Sequence, residues 1–301
     1  MPPTLHTHQK VLSMKKAYSL AGISILFWSS VATISKLLLG IMNSYQVLCV
    51  SALFAAATLF IIVLLNGKLE RMKQYRFKDY CIMVLIGLPG TFLYYIFLYA
   101  GTDRMLASQA FIVNYLWPIM SVVFSCLLLR EKMTVRKAIA IIMSFSGILT
   151  VAGKDLVQFN PRILTGILLC ICAAVSYGAF TALNKKYHYD TQVSMMVSFF
   201  AAFLLSLLTN LLMGTDFHIT PLQIAGLAWN GIFVMALATT TWALALNLGD
   251  TAKISNLAYI TPFLSLIWTN LFLQEPVDLW SVSGLVIIVL GIFIQLKDKH
   301  A

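Results

Sequence analysis

Residues 114–131, NYLWPIMSVVFSCLLLRE, return as residues 258–275, AYITPFLSLIWTNLFLQE. Pro118 answers to Pro262 and Glu131 to Glu275, each 144 positions on, and the same offset relates Gly22 to Gly166, Gly87 to Gly231 and Gly147 to Gly291. In a chain with 16 Gly a single glycine match is cheap, but five landmarks at one offset, two of them Pro and Glu, are not. No net insertion or deletion separates them. An internal repeat decides architecture, so every other feature is placed on it.

The repeated unit is strongly apolar. Of the 301 residues 60% are hydrophobic and only 11% charged, against roughly 25% charged in soluble proteins. The apolar residues fall into ten runs of the length that spans a bilayer as helix: 17–39, 43–65, 78–100, 104–129, 134–151, 163–183, 191–213, 221–248, 253–273 and 278–296. The chain is therefore read as an all-α integral membrane protein of ten transmembrane helices. A first five-helix repeat covers 17–152 and a second 161–296, with tails at 1–16 and 297–301. Five is odd, so the second copy enters the membrane from the opposite side. An inverted repeat of this kind is a transporter architecture, with cargo expected at the midplane between the halves.

The net charge of +10 reads as topology. With the N-terminus cytoplasmic, 17 of the 21 Lys and Arg lie in cytoplasmic segments, and only Lys36, Arg104, Lys154 and Arg162 lie opposite. That asymmetry puts both tails in the cytoplasm and leaves no reason to invoke nucleic acid. Lys36, near the outer end of its helix, is expected to snorkel. The first apolar run is too long for a signal-peptide core. The five cysteines, Cys49, Cys81, Cys126, Cys170 and Cys172, fall inside predicted helices and read as packing residues.

Pro118 and Pro262 sit mid-helix in the fourth and ninth spans. Each removes a donor and frees the carbonyl four residues back, at Asn114 and Ala258. In lipid such a defect survives only where protein or a water-filled cavity satisfies it. At helical spacing Asn114, Pro118, Ser121 and Ser125 form a stripe matched by Ala258, Pro262, Ser265 and Thr269. Tight packing by small residues is the competing explanation of that stripe. Aromatics gather at the same depth: Trp28, Tyr94, Tyr95, Tyr99, Tyr115, Trp117, Tyr177, Phe180, Trp242 and Tyr259. Interfacial belts account for Trp229 and Trp280, near helix ends, but not for the deeper rings. The substrate-binding candidates are Trp28, Tyr95, Tyr99, Asn114, Tyr115, Trp117, Tyr177, Trp242 and Tyr259, with Pro118 and Pro262 as kinks.

No Asp or Glu lies at mid-depth in the ten spans, and His6, His8, His188, His218 and His300 all lie in tails or loops. The pattern offers no embedded proton relay, no metal or nucleophile cluster and no deep basic group for phosphate. No cofactor is called for. A neutral, zwitterionic or aromatic small molecule is the expected partner, besides the lipid bilayer, and a monomer suffices.

Ten helices in a five-plus-five repeat, with Pro then Glu in the fourth and ninth, resemble the EamA branch of the drug/metabolite transporter superfamily. A narrower set resembles its YddG-type aromatic amino-acid exporters. It comprises Asn114-Tyr115-Leu116-Trp117-Pro118, Trp28-Ser29, Asn184-Lys185-Lys186-Tyr187, Trp242 and Tyr259-Ile260-Thr261-Pro262. The resemblance implies an inner-membrane exporter with a central cavity. The alternatives are an exporter of other neutral or cationic compounds, or a membrane scaffold or enzyme without transport. A cationic cargo would call for an acidic residue in the cavity. An enzyme would need catalytic groups, and a scaffold leaves the inverted repeat unexplained.

Overall fold

A computed structural model of the chain describes residues 3–157 and 160–296. Its regular structure is helical, and among the described residues nine helices are long and apolar enough to cross a membrane. They are α1 (Met14–Leu39), α2 (Ser44–Leu65), α3 (Phe77–Arg104), α4 (Ala107–Leu128), α5 (Val135–Gly153), α6 (Pro161–Lys186), α7 (Thr191–Leu212), α8 (Pro221–Leu248) and α9 (Lys253–Leu273), followed by the shorter α10 (Leu279–Gln295). The expected N-terminal tail is helical from Pro3 and continuous with α1. The expected C-terminal tail, 297–301, lies outside the described residues.

Sequence sets the helix ends in familiar ways. Asn43 caps α2 through Gln46 in a reciprocal box, and Thr220 does the same for α8 through Gln223. Asp190 caps α7 by accepting from Gln192 and Val193. Pro161 and Pro221 occupy first helical positions, where their missing N–H costs nothing.

The most extensive pairing, α5 with α10, joins one half to the other, as do those of α6 with α3 and α4 and of α2 with α7. Close approach explains the glycines there. A Cβ on Gly147 would meet the Gly284 carbonyl at 2.7 Å and Ile288 at 2.6 Å; one on Gly291 would meet the Ala140 carbonyl at 3.0 Å and Ser144 at 3.2 Å. Positions 284 and 288 are 140 and 144 plus 144, so the two glycines make the same contact seen from either end.

Three backbone features repeat with the landmarks. A π-helical stretch occupies Pro89–Leu93 in α3 and Trp229–Leu237 in α8. The helical ladder breaks at Tyr115 and Leu116 in α4, and as a 3-10 turn at Ala258–Ile260 in α9. Arg130 and Gln274, 144 apart, take left-handed φ of 58° and 54° just before Glu131 and Glu275. The offset is not uniform, however. The caps Asn43 and Asp190 lie 147 apart, and the register returns to 144 at Phe77 and Pro221. Gly22 and Gly166 are also unlike: a Cβ on Gly22 would meet nothing within 4 Å, while one on Gly166 would press on the Gly101 carbonyl at 3.2 Å.

Candidate functional site

Between the halves lies a cavity of about 320 Å³. Four pairs of residues 144 apart border it together: Gly90 with Val234, Tyr95 with Thr239, Asn114 with Ala258, and Trp117 with Thr261. The centre of the cavity therefore lies on the axis relating the repeats. The two helix breaks deliver α4 and α9 to it, and the two π-helical stretches deliver α3 and α8. Away from this centre the cavity runs toward one end only, past Thr181 and Asn184 of α6 to Tyr189 and Thr191.

Seven of the nine sequence candidates border this space: Trp28, Tyr95, Asn114, Tyr115, Trp117, Tyr177 and Trp242. Tyr99 and Tyr259 do not. Tyr99 is 0% exposed and packs behind Tyr95. Tyr259 turns toward Phe293 of α10, 5.3 Å away. Tyr94, left out of the candidates, takes a place on the wall instead. A π-helical turn holds one residue more than an α turn, so Pro89–Leu93 rotates the faces of α3 beyond it. Thr181, Asn184, Thr239 and Thr261 also line it without being site candidates; Asn184 and Thr261 lie in the motifs of the family resemblance, and nothing in residue type marks out Thr181 and Thr239.

The aromatic walls are mutually packed. Trp28 and Trp242 lie 5.3 Å apart at 55°, Tyr94 and Tyr177 4.8 Å apart, and Trp117 meets Tyr177 edge-on at 5.1 Å. Among them stand polar groups with free valence. Asn114 is 2% exposed; its amide nitrogen donates to the Tyr94 hydroxyl at 3.0 Å, and its Oδ1 has no protein partner. Thr261 Oγ1 is likewise buried without a partner. The Ala258 carbonyl, freed by Pro262, accepts from the Tyr115 hydroxyl, which ties the two breaks together. Farther along the small-residue stripe, Ser125, Ser265 and Thr269 are buried and are not among the residues that line this cavity. The stripe thus divides: cavity wall at the breaks, packing beyond them.

Among the described residues no Asp, Glu, Lys, Arg or His lines the cavity. Charges stand around its mouth instead. Asp190 pairs with Lys68 at 2.8 Å and Arg71 at 3.0 Å, and Glu131 with Lys185 at 2.8 Å and Lys137 at 3.2 Å. The Lys185 hydrogen bond, supported by Lys137, holds the Glu131 carboxyl below its ordinary range. At the far end Lys36 does not snorkel. Its Nζ donates to the carbonyls of Thr102 at 2.6 Å and Met105 at 2.7 Å, closing the C-terminus of α3. Nor is Trp229 a belt residue, because its Nε1 donates inward to Ser30 Oγ at 2.9 Å. Among the described residues no three His, Cys, Asp or Glu side chains converge on a metal-sized space.

The description of the EamA-like transporter family matches the chain twice, over residues 15–153 and 164–296. The chain belongs to the EamA-like transporter family. An uncharacterized transporter of Archaeoglobus fulgidus is 26% identical over 293 residues, covering 95% of this chain and 100% of that protein. The uncharacterized transporter YvbV of Bacillus subtilis is 27% identical over 240 residues, 77% of each. The aromatic amino acid exporter YddG of Ancylobacter novellus is 24% identical over 182 residues, 60% of this chain and 63% of that one. A protein crystal structure superposes with a TM-score of 0.69 over 93% of this chain and 96% of its own, at 20% identity, and so shares the fold. This EamA chain is thus a multi-pass membrane transporter of small molecules.

Proposed function

We propose that this EamA transporter exports aromatic amino acids or closely related amphipathic metabolites, by alternating access through the cavity between its repeats. The observation that carries this reading is the wall itself: rings from both halves around Asn114 Oδ1 and Thr261 Oγ1, with no charged side chain. Aromatic walls favour a ring through stacked and edge-on contacts, about 0.5–1.5 kcal/mol for each pair beyond burial. The unpaired polar atoms favour a cargo that brings hydrogen bonds of its own, since a buried polar group left unsatisfied costs about 1–3 kcal/mol. A phosphorylated cargo would meet no cation there. The YddG relative, which carries the aromatic amino acid exporter name, supports the same cargo.

Proteoliposomes loaded with labelled phenylalanine, tyrosine or tryptophan are expected to show protein-dependent flux above that of any phosphorylated sugar, with and without a pH gradient. Nucleotide-sugar exchange without amino-acid flux would overturn the proposal. The proposed orientation has both termini in the cytoplasm of the bacterial inner membrane, on the strength of the Lys and Arg distribution. Reporter fusions after Asn66 and after Lys299 are both expected to report cytoplasm. A periplasmic signal at either one would overturn the assignment of two inverted five-span repeats.

A further inference from the structure

The repeats duplicate nearly every feature around α4 and α9, yet Glu131 and Glu275 are engaged differently. Glu275 is 6% exposed. Its carboxylate accepts from the backbone N–H of Ala107 at 2.7 Å, from that of Ser108 at 2.9 Å and from the Ser108 hydroxyl at 2.7 Å. These backbone donors open the helical segment Ala107–Asn114, whose own N-cap, Leu106, supplies no side-chain acceptor. A residue of the second half therefore caps a helix of the first, and charge and helix end reinforce each other. The other end of that eight-residue segment is Asn114, on the cavity. Lys36 binds the Thr102 and Met105 carbonyls just before it and adds positive charge beside Glu275.

Glu131 occupies the equivalent place at the end where the cavity emerges, after the same left-handed turn. Its side chain is 28% exposed and is held by Lys185 and Lys137. The segment Thr251–Leu257 that begins α9 is capped from within by Asp250, which accepts from the Lys253 N–H. The first half has Leu106 at that position and depends on Glu275.

We infer that Glu275 is a positioning residue that seals the closed end of the cavity, and that withdrawal of its carboxylate from Ala107 and Ser108 opens that end and moves Asn114. The inference rests on the alternating-access reading above. Exchange of states between inverted repeats exchanges the surroundings of equivalent residues. Glu275 then takes the exposed condition that Glu131 has here, and rehydration of its charge offsets the lost hydrogen bonds. Cargo contact at Asn114 and the seal at Ala107 act on opposite ends of one short rod, so occupancy of the cavity is mechanically linked to the seal.

The test is amide hydrogen exchange, read by mass spectrometry on the full chain in lipid nanodiscs, for wild type, Glu275→Gln and Glu275→Asp. Glu275→Gln is expected to speed exchange in the peptide covering 105–112 by about tenfold or more, the scale of losing a charge-assisted hydrogen bond. It is also expected to slow exchange in the peptide covering 181–192, because the population shifts toward the state closed at that end. Faster exchange at 105–112 with 181–192 unchanged would mean an ordinary helix cap, and the inference would fall. Glu275→Asp, which keeps the charge on a shorter arm, should show the same paired change at smaller size and serves if the Gln variant folds poorly. No cargo enters the measurement. Paired exchange without amino-acid flux would leave the seal standing and remove only the cargo reading.

Discussion

Asn114→Ala and Trp242→Ala are each expected to lower flux per folded transporter by roughly 5- to 150-fold, with the amount of protein in the membrane near that of wild type. The scale follows for Asn114 from a loss of about 1–3 kcal/mol when a buried polar partner is left unpaired, and for Trp242 from about 1.5–3 kcal/mol of lost burial of a large apolar side chain, at tenfold per about 1.4 kcal/mol. Asn114 has one half of its amide on Tyr94 and the other facing the cavity. Trp242 meets Trp28 at 5.3 Å, and both rings line the same space. Shortening either side chain enlarges an existing cavity of about 320 Å³ instead of opening a void in packed protein, so the usual large penalty of core truncation should be small here. Flux in proteoliposomes, normalised to monodisperse protein, is the deciding quantity. If activity and membrane yield fall together, these residues pack helices and do not touch cargo.

Gly178→Leu should do the reverse and remove the folded protein itself. A Cβ at Gly178 would stand 2.5 Å from Met120 Cβ, 2.6 Å from the Met120 carbonyl carbon and 2.7 Å from the Ser121 nitrogen. Two of those atoms are backbone, in the turn of α4 that follows Pro118, and a rotamer change cannot move them. Overpacking against side chains costs about 1–3 kcal/mol; against a helix backbone beside a break, about 3 kcal/mol or more is expected. Gly22→Leu is the control, since nothing lies within 4 Å of the position where its Cβ would stand. Melting in detergent should be several degrees lower or absent for Gly178→Leu and unchanged for Gly22→Leu. Equal melting of the two would mean that α4 and α6 tolerate separation.

The contrast between these glycines shows what the sequence discloses and what it hides. Hydrophobic run length gives the spans because bilayer thickness is a one-dimensional constraint, and α9 ends at Leu273 as expected while its helix starts two residues earlier, at Thr251. The offset of Pro118 and Pro262 gives the two breaks because a missing N–H acts on its own helix. Facing is harder to read. Gly22 and Gly166 obey the offset in sequence, yet only Gly166 meets another helix. Tyr99 shares a helical face with Tyr95 on paper, but it stands one turn farther along and packs behind Tyr95, while Tyr94 reaches the wall. Thr261 and Thr239 lie on the wall because their repeat partners Trp117 and Tyr95 do. The two-fold was thus a usable signal for sites that composition does not mark. Glu275 was legible as a helix end; its reach to Ala107 depends on tertiary placement, which neither spacing nor residue type encodes.

The uncharged wall has an electrical consequence. In the proposed cycle the empty cavity changes sides with no charge on its lining, so the membrane voltage does almost no work on that step. One embedded unit charge carried across would couple it to the field by about 2.3 kcal/mol per 100 mV. A zwitterion adds no net charge of its own. If no ion is coupled to this cycle, net movement follows the concentration ratio of cargo on the two faces, and a cell that makes too much of the cargo drives its own overflow.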